Sequence, residues 1–189
     1  MGLFKKLFGD AVDEMKKDGY LGTDTEVTID YYYNSSSDDK LHYIDTTKEK
    51  IASADATIAF SYASGSSALD KENAQFIALH SAMEDAQSSG GKFVLISENL
   101  PYDAAIYQQA DSIVLAYLGS GLGIDPTDKT GDGSTAINAN IIAAIDTVFG
   151  ANSPVGTLPV NIPRVEENPD GTLYYGTEFI YTRGTGLSY

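Results

Sequence analysis

Phe93-Val94-Leu95-Ile96-Ser97 is the stretch that decides the fold. Four consecutive apolar residues, with no polar position between them, are typical of a strand that is buried on both faces. Ser112 to Leu118 (Ser-Ile-Val-Leu-Ala-Tyr-Leu) has the same character, and Ala56 to Tyr62 (Ala-Thr-Ile-Ala-Phe-Ser-Tyr) is a third such run. Strands of this kind belong to parallel sheets that helices cover on both faces.

Helical patterns separate these strands. Amphipathic spacing predicts helices over residues 3–18, 47–54, 70–88 and 136–149, with a helical turn over 103–109. Gly150 suits the left-handed position just beyond the last helix, and Pro154 prevents the helix from continuing. Glu26 to Tyr33 is rich in β-branched and aromatic residues and predicts a further strand. The alternation predicts an α/β fold: a three-layer α/β/α sandwich with a mostly parallel sheet of about five strands, and an antiparallel edge strand near Thr177 to Tyr181.

Composition limits the possible functions. The 189 residues fit one domain, 1–189, and carry a formal charge of −15 from 27 acidic and 12 basic side chains. This balance argues against nucleic acid as a partner, because phosphate neutralisation dominates such binding. The absence of cysteine excludes disulfides, thiolate nucleophiles and cysteine metal sites. No signal peptide and no membrane-spanning run are predicted, and no compartment is indicated.

A ligand site is expected at the carboxyl ends of the parallel strands. In this chain those ends lead into the loops Ala63 to Leu69, Glu98 to Tyr102 and Gly119 to Gly133. Two of the three loops are rich in glycine, serine and acidic residues, as a polar cleft would be.

Acidic residues near these loops have structural interpretations. Asp70 is placed as the N-cap of a helix, Glu72 in the first turn of that helix, and Asp103 as the cap of the next helical turn. Asp128 and Asp132 lie in a segment similar to a calcium loop, but Ala139 stands where a bidentate Glu is needed. A solvated loop is the alternative there.

Other polar and aromatic motifs give little support for a cofactor or a nucleophile. His80 falls in mid-helix, which favours a structural role over that of a base. Gly119 to Gly123 follows a strand but lacks the spacing of a dinucleotide-binding loop. Tyr31 to Tyr33 could stack on sugars, although alternate members of a strand face opposite sides. No cofactor is predicted.

Five segments resemble the C-terminal α/β sandwich domain of family 3 glycoside hydrolases. The resemblance depends on finding these segments together in the order that they have in the family, because each segment alone is a weak signal. The segments are Lys48 to Phe60, Ser97 to Ala104 (Ser-Glu-Asn-Leu-Pro-Tyr-Asp-Ala), Ala110 to Tyr117, Val148 to Pro163, and the ending Gly184-Thr185-Gly186-Leu187-Ser188-Tyr189.

The resemblance implies an accessory domain that forms one wall of the sugar site of a partner (β/α)-barrel. In that family the catalytic aspartate belongs to the barrel, which this sequence lacks, so we expect the isolated chain not to hydrolyse glycosides. The loop after Ala56 to Tyr62 can supply an acid/base in the family, which makes Glu72 a weak catalytic candidate; Asp103 is another, because its loop approaches the barrel's site. A β-linked sugar is the implied ligand. A carbohydrate-binding or protein-interaction module with the same fold, and a free-standing enzyme of another type, are the alternatives.

The family domain opens with one more strand than this chain offers before Leu3. A sheet without that strand has an exposed edge, which is able to pair with another chain. A homodimer formed through a sheet edge is therefore expected.

Overall fold

The computed structural model describes residues 2–30, 40–62, 65–117, 123–124, 136–137 and 139–187. The described elements alternate between helices and strands along most of the chain. In order they are α1 (Gly2–Lys17), α2 (Lys40–Ser53), β1 (Ala56–Ser61), α3 (Ala74–Ser88), β2 (Lys92–Ser97), α4 (Asp103–Ile106), β3 (Ser112–Leu115), β4 (Gly123–Ile124), β5 (Ala136–Ile137), α5 (Ala139–Val148), β6 (Ile162–Glu167) and β7 (Leu173–Tyr181).

The three continuous apolar runs form one parallel sheet in the order β1-β2-β3. Ala56 lies opposite Lys92 and Ser61 opposite Ser97, while Ser97 in turn lies opposite Leu115. Because the strands are in parallel register, their carboxyl ends finish at one edge of the sheet. The prediction of a parallel sheet is confirmed for these strands, whereas a sheet of about five strands stays a prediction.

Helices pack on both faces of this sheet. Phe93 and Leu95 of β2 lie in a cluster with Leu79 and Met83 of α3. Ile96 lies in a second cluster, whose helical members come from α1 and α5: Phe8, Ala11, Val12, Ile141, Ala144 and Ile145. Each fully buried aliphatic or aromatic side chain of this kind contributes about 1.5–3 kcal/mol to folding. The lack of alternation in β2 therefore has its cause in burial on both faces.

Two further strand pairs are antiparallel. β4 pairs with β5, and β6 pairs with β7 in a separate two-stranded sheet. The antiparallel strand predicted near Thr177 to Tyr181 is confirmed as part of β7, but it pairs with β6 instead of lying along the parallel sheet. Ile162, Val165 and Tyr175 attach this pair to α4 through Ala104 and Ala105. The described chain is thus mixed α/β.

The strand predicted over Glu26 to Tyr33 is wrong for residues 26–30, which form no regular secondary structure. Strand propensity reflects packing on a sheet, and Ile29 instead packs with Leu21 against the cluster under α1 and α5. Tyr31 to Tyr33 lie outside the described residues.

Helix ends also differ from the prediction. α3 begins at Ala74, four residues later than expected, because Asn73 caps it by accepting a hydrogen bond from the Gln75 amide. α5 begins at Ala139, because Ala136 and Ile137 pair in β5. At the other end of α5, Gly150 has φ 79°, as predicted for the left-handed position beyond a helix. None of the described helices is long and apolar enough to span a bilayer.

Candidate functional site

Two serines close the first two strands of the parallel sheet, and both donate to one buried carboxyl group. The Ser61 hydroxyl lies 2.6 Å and the Ser97 hydroxyl 2.8 Å from the same Oδ2 of Asp103. Asp103 is 0% exposed, and the two serines are each 1% exposed. Hydrogen bonds to a charged acceptor contribute about 1.5–3 kcal/mol each, so this bridge fixes the ends of β1 and β2 to α4.

Two tyrosines surround this bridge. Burial raises the pKa of Tyr175 to about 12, and the negative charge of Asp103 adds to that shift. Burial, followed by the same charge, also raises the pKa of Tyr107 far above its ordinary value. The Tyr175 ring packs against the Tyr102 ring with centroids 5.5 Å apart. The carboxyl group is therefore enclosed by protein.

Asp103 does not cap a helical turn, contrary to the prediction from sequence. It is the first residue of α4, and the cap position belongs to Tyr102, which makes no capping side-chain bond. Its carboxyl group turns inward, where it accepts from the two buried hydroxyl groups. A fully buried carboxyl group cannot touch a substrate, so its role at this edge is to position other residues.

Tyr62 and Glu98 follow the two serines directly, just beyond the ends of β1 and β2. They lie level with each other, because Ser61 and Ser97 are in register and the Glu98 amide donates to the Ser61 carbonyl at 2.8 Å. Tyr62 is 44% exposed. The backbones of Tyr62 and Glu98 are thus neighbours at the carboxyl edge.

Glu98 has an unusual electrostatic environment. Burial raises the pKa of its carboxyl group from the usual 4.5 to about 7. A carboxyl group with such a pKa exists in both its protonated and its ionised form near neutral pH. It can donate as well as accept hydrogen bonds, and carboxyl groups with a raised pKa are frequent at functional sites.

Amide side chains fix the outer strands of the edge. Gln75 of α3 accepts from the Tyr62 amide at 3.2 Å and donates to the Tyr62 carbonyl at 3.5 Å. Asn140 of α5 donates to the carbonyls of Ala116 and Tyr117 at 2.9 and 3.1 Å. Helices from both faces of the sheet therefore hold the backbone at this edge in place.

Tyr117 has an unusual backbone conformation at this edge. Its φ is 49°, in the left-handed region that non-glycine residues rarely adopt. The residue is 39% exposed and comes two positions after β3. Strained residues of this kind concentrate at binding and catalytic sites.

Glu72 and Asp70 lie in the turn that leads into α3. The Asp70 carboxylate accepts from the Glu72 amide at 2.9 Å, and both residues are exposed. Asp70 is therefore not the N-cap of α3, and Glu72 precedes the first turn of that helix; both assignments from sequence are wrong because Asn73 takes the cap. Lys71 between them pairs with Glu167 of β6 at 2.9 Å, which ties this turn to the β6–β7 pair.

Asp128 and Asp132, the candidate calcium ligands, lie outside the described residues. Within the described ranges, no group of three or more histidine, cysteine, aspartate or glutamate side chains could hold a metal ion.

His80 has structural partners. Its Nδ1 lies 2.9 Å from the Phe76 carbonyl, and its ring stacks on Phe76 at 4.0 Å and packs on Tyr107 at 4.8 Å. Burial lowers the pKa of this histidine, which favours the neutral ring.

Sequence reasoning missed Ser61, Ser97 and Glu98 as site residues. One signal was available: both buried strands end in serine, and a polar or aromatic residue follows each serine at the edge where ligands bind. The acceptor that joins the serines, Asp103, follows Ser97 by 6 residues and Ser61 by 42, and only the fold reveals it.

Comparison with protein-family models and with curated proteins gives no match to this chain.

Proposed function

We propose that the chain is an accessory domain of the family 3 β-glycosidase type. Its carboxyl edge would form one wall of a sugar site, and a partner (β/α)-barrel would supply the nucleophile. The proposed complete fold is the three-layer sandwich with about five mainly parallel strands. The observation that carries the proposal is the edge itself, where Tyr62, Glu98 and Tyr117 follow three neighbouring strands.

The chemistry of this edge suits a carbohydrate. Sugar sites combine aromatic rings, which cover the apolar face of a pyranose, with a few fixed polar groups. Tyr62 and Tyr117 are exposed, and the backbone of Glu98 neighbours that of Tyr62. The net charge of −15 disfavours phosphorylated or polyanionic ligands and favours neutral ones.

The same residues argue against catalysis by the chain alone. A retaining glycosidase needs two carboxyl groups about 5 Å apart, one of which attacks the sugar. Asp103 is buried and engaged by two serines, so it cannot be that nucleophile. Glu72 is exposed in a turn, and the resemblance alone supports it as an acid/base.

Hydrolysis assays test this function. The purified chain should not cleave 4-nitrophenyl β-glucoside or 4-nitrophenyl β-N-acetylglucosaminide. Its addition to the barrel domain of a family 3 β-glucosidase, or to that of a family 3 β-N-acetylglucosaminidase, should raise the turnover of that barrel. Turnover by the chain alone that disappears in Glu72→Gln or Glu98→Gln would overturn the proposal and favour a free-standing enzyme.

A binding or interaction module without sugar hydrolysis is the second candidate. Three large side chains on β7 favour it, since Tyr174, Phe179 and Tyr181 are exposed on one strand. The two functions differ in the barrel assay, because a module of this kind would leave barrel turnover unchanged.

A homodimer through a sheet edge remains part of the proposal. Within the described residues, β1 and β3 are the outer strands of the parallel sheet, and outer strands are able to pair with another chain. Sedimentation velocity over a range of concentrations tests this, and a monomer throughout would contradict it.

A further inference from the structure

We propose that the solvent-facing side of the β6–β7 pair binds an extended, arginine-containing segment of a partner protein. The arginine would pair with the Glu166 carboxylate beside Tyr174, and an apolar side chain further along the segment would cover Phe179 and Tyr181. This inference rests on the second candidate function, the interaction module, and gives that module a partner. It needs neither a sugar nor a barrel.

One face of the β6–β7 pair packs on the protein and the other is open. Tyr175 and Ile180 of β7 pack against the cluster that includes Ala104 and Ala105 of α4. Successive residues of a strand point to opposite faces, which places Tyr174, Phe179 and Tyr181 on the other side. These three side chains are 39–52% exposed. Exposed apolar surface of this kind marks binding surfaces, and we call this side the outer face.

A fixed carboxylate lies on the outer face. The Tyr174 hydroxyl donates to Glu166 Oε2 at 2.6 Å, and the two residues lie opposite each other on β7 and β6. The carboxyl carbon of Glu166 lies 2.6 Å from the position that a Cβ at Gly176 would take. The carboxyl group thus occupies space that Gly176 leaves open. A group that is held in place before binding loses less entropy when the ligand arrives.

The charges on this strand pair favour a cation at Glu166. Glu167 pairs with Lys71 at 2.9 Å and Glu178 with Arg164 at 3.7 Å. Within the part of the chain that the structure describes, no lysine or arginine pairs with Glu166. A guanidinium group binds carboxylates through paired N–H groups and also stacks on aromatic rings, so it suits a carboxylate beside a tyrosine.

The net charge separates the possible occupants of the outer face. A second copy of the chain would bring another −15 to this surface, and like charges that meet across an interface repel. A cationic segment is attracted by the same charge. The partner is therefore expected to be a basic segment of a different protein.

The register of the strands sets the spacing within that segment. Glu166 lies opposite Tyr174 and Pro163 opposite Phe179, so the two ends of the outer face are three residues apart on β6 and five apart on β7. This separation corresponds to about 10–16 Å. Four residues of an extended peptide span about 13 Å, and residues four apart point to the same side. Among the described strands β7 pairs with β6 alone, so an extended segment can also pair with its other edge.

NMR chemical-shift titration of the whole nitrogen-15-labelled chain with synthetic peptides tests the site. The main probe is a nine-residue peptide with a central arginine, a leucine at each end, and threonine or serine between them, so that it fits in either direction. We expect a Kd of about 0.1–1 mM. Citrulline has the shape of arginine without its charge and should weaken binding by about tenfold. Moving each leucine one residue inward turns it to the opposite side and should weaken binding by about threefold or more.

Three variants separate the parts of the site. Glu166→Gln should weaken binding of the arginine peptide by about tenfold and leave the citrulline peptide within about twofold, because only the first loses an ion pair. Gly176→Ala keeps the carboxylate but pushes it aside, and should weaken the arginine peptide by about fivefold without affecting the citrulline peptide. Phe179→Ala should weaken both peptides by about fivefold.

Two control variants match these changes elsewhere on the surface. Tyr20 is exposed beyond the C-terminal end of α1, and Glu84 is exposed on α3. Tyr20→Ala and Glu84→Gln should leave the affinity for both peptides unchanged. Circular dichroism and urea unfolding identify any variant that has lost its fold, and Glu166→Gln still tests the carboxylate if Gly176→Ala unfolds.

Several outcomes would overturn the site: no binding of the arginine peptide by the folded wild type, equal losses for the arginine and citrulline peptides in Glu166→Gln, or equal affinity for the two leucine spacings. A concentration-dependent dimer that disappears in Phe179→Ala would assign the outer face to a second copy instead. The barrel assay gives a separate result. Barrel turnover that rises with the chain, without peptide binding, refutes this inference alone, whereas peptide binding without any effect on a barrel refutes the accessory role alone.

Discussion

Glu98→Gln should stabilise the protein at neutral and alkaline pH. Burial raises the pKa of the Glu98 carboxyl group from the usual 4.5 to about 7. One unit of pKa corresponds to about 1.4 kcal/mol, so the full shift amounts to at most ~3.5 kcal/mol. Because the side chain is only partly buried, solvent screening reduces the expected effect to about 1–2 kcal/mol.

The direction follows from the order of the two pKa values. The folded state keeps its proton to higher pH than the unfolded chain, so the wild type loses stability as the pH rises from about 4.5 to 7. Glutamine is neutral throughout and does not suffer this loss. The free energy of unfolding of the variant minus that of the wild type should rise by about 1–2 kcal/mol between about pH 4 and pH 8.

Urea unfolding, followed by circular dichroism across this pH range, measures that difference directly. Taking a difference between the two proteins removes contributions from groups common to both, His80 included. Glu84→Gln makes the same chemical change on the exposed face of α3 and serves as the matched control. A Glu98→Gln difference that stays flat between about pH 4 and pH 8 would refute the burial argument.

Three further changes probe the supports of the fold. Gly91→Ala should cost about 1–3 kcal/mol, because an added Cβ would lie 2.6 Å from the Ala54 carbonyl oxygen; Gly156→Ala, which has open space, is the control, and equal urea midpoints for the two would contradict this reading. Asp103→Ala removes the acceptor of the buried Ser61 hydroxyl, while the Ser97 hydroxyl keeps the Leu100 carbonyl, and should cost about 1.5–3 kcal/mol; a loss below about 1 kcal/mol would show that the bridge does not hold the edge. Burial lowers the pKa of His80 from 6.5, so the free energy of unfolding of the wild type minus that of His80→Gln should fall as the pH drops below that value; a difference that does not change with pH would count against this reading.

Local sequence patterns determined most of the secondary structure. The apolar runs around Phe93 and Ile113 became parallel strands, since a strand covered on both faces needs apolar residues at every position. Gly150 ended the last helix because its left-handed backbone conformation is costly for other residues. These features depend on a few neighbouring residues, and the chain shows those directly.

Competition between neighbouring residues limited the prediction of helix ends. Asp70 and Asn73 are both good capping residues three positions apart, and Asn73 takes the cap while Asp70 closes a turn. The strand expected from Glu26 failed for a similar reason, since its residues have strand propensity but the described part of that run pairs with no sheet.

The candidate site was decided by tertiary structure. The sequence by itself determined that ligands should bind beyond the ends of Ala56 to Tyr62 and Phe93 to Ser97, because continuous apolar strands imply a parallel sheet. Only the tertiary structure could bring Asp103 beneath Ser61 and Ser97 and bury Glu98 enough to raise its pKa. Burial and hydrogen-bond partners come from residues distant in sequence, and a pKa depends on those surroundings and not on the identity of the residue that carries it.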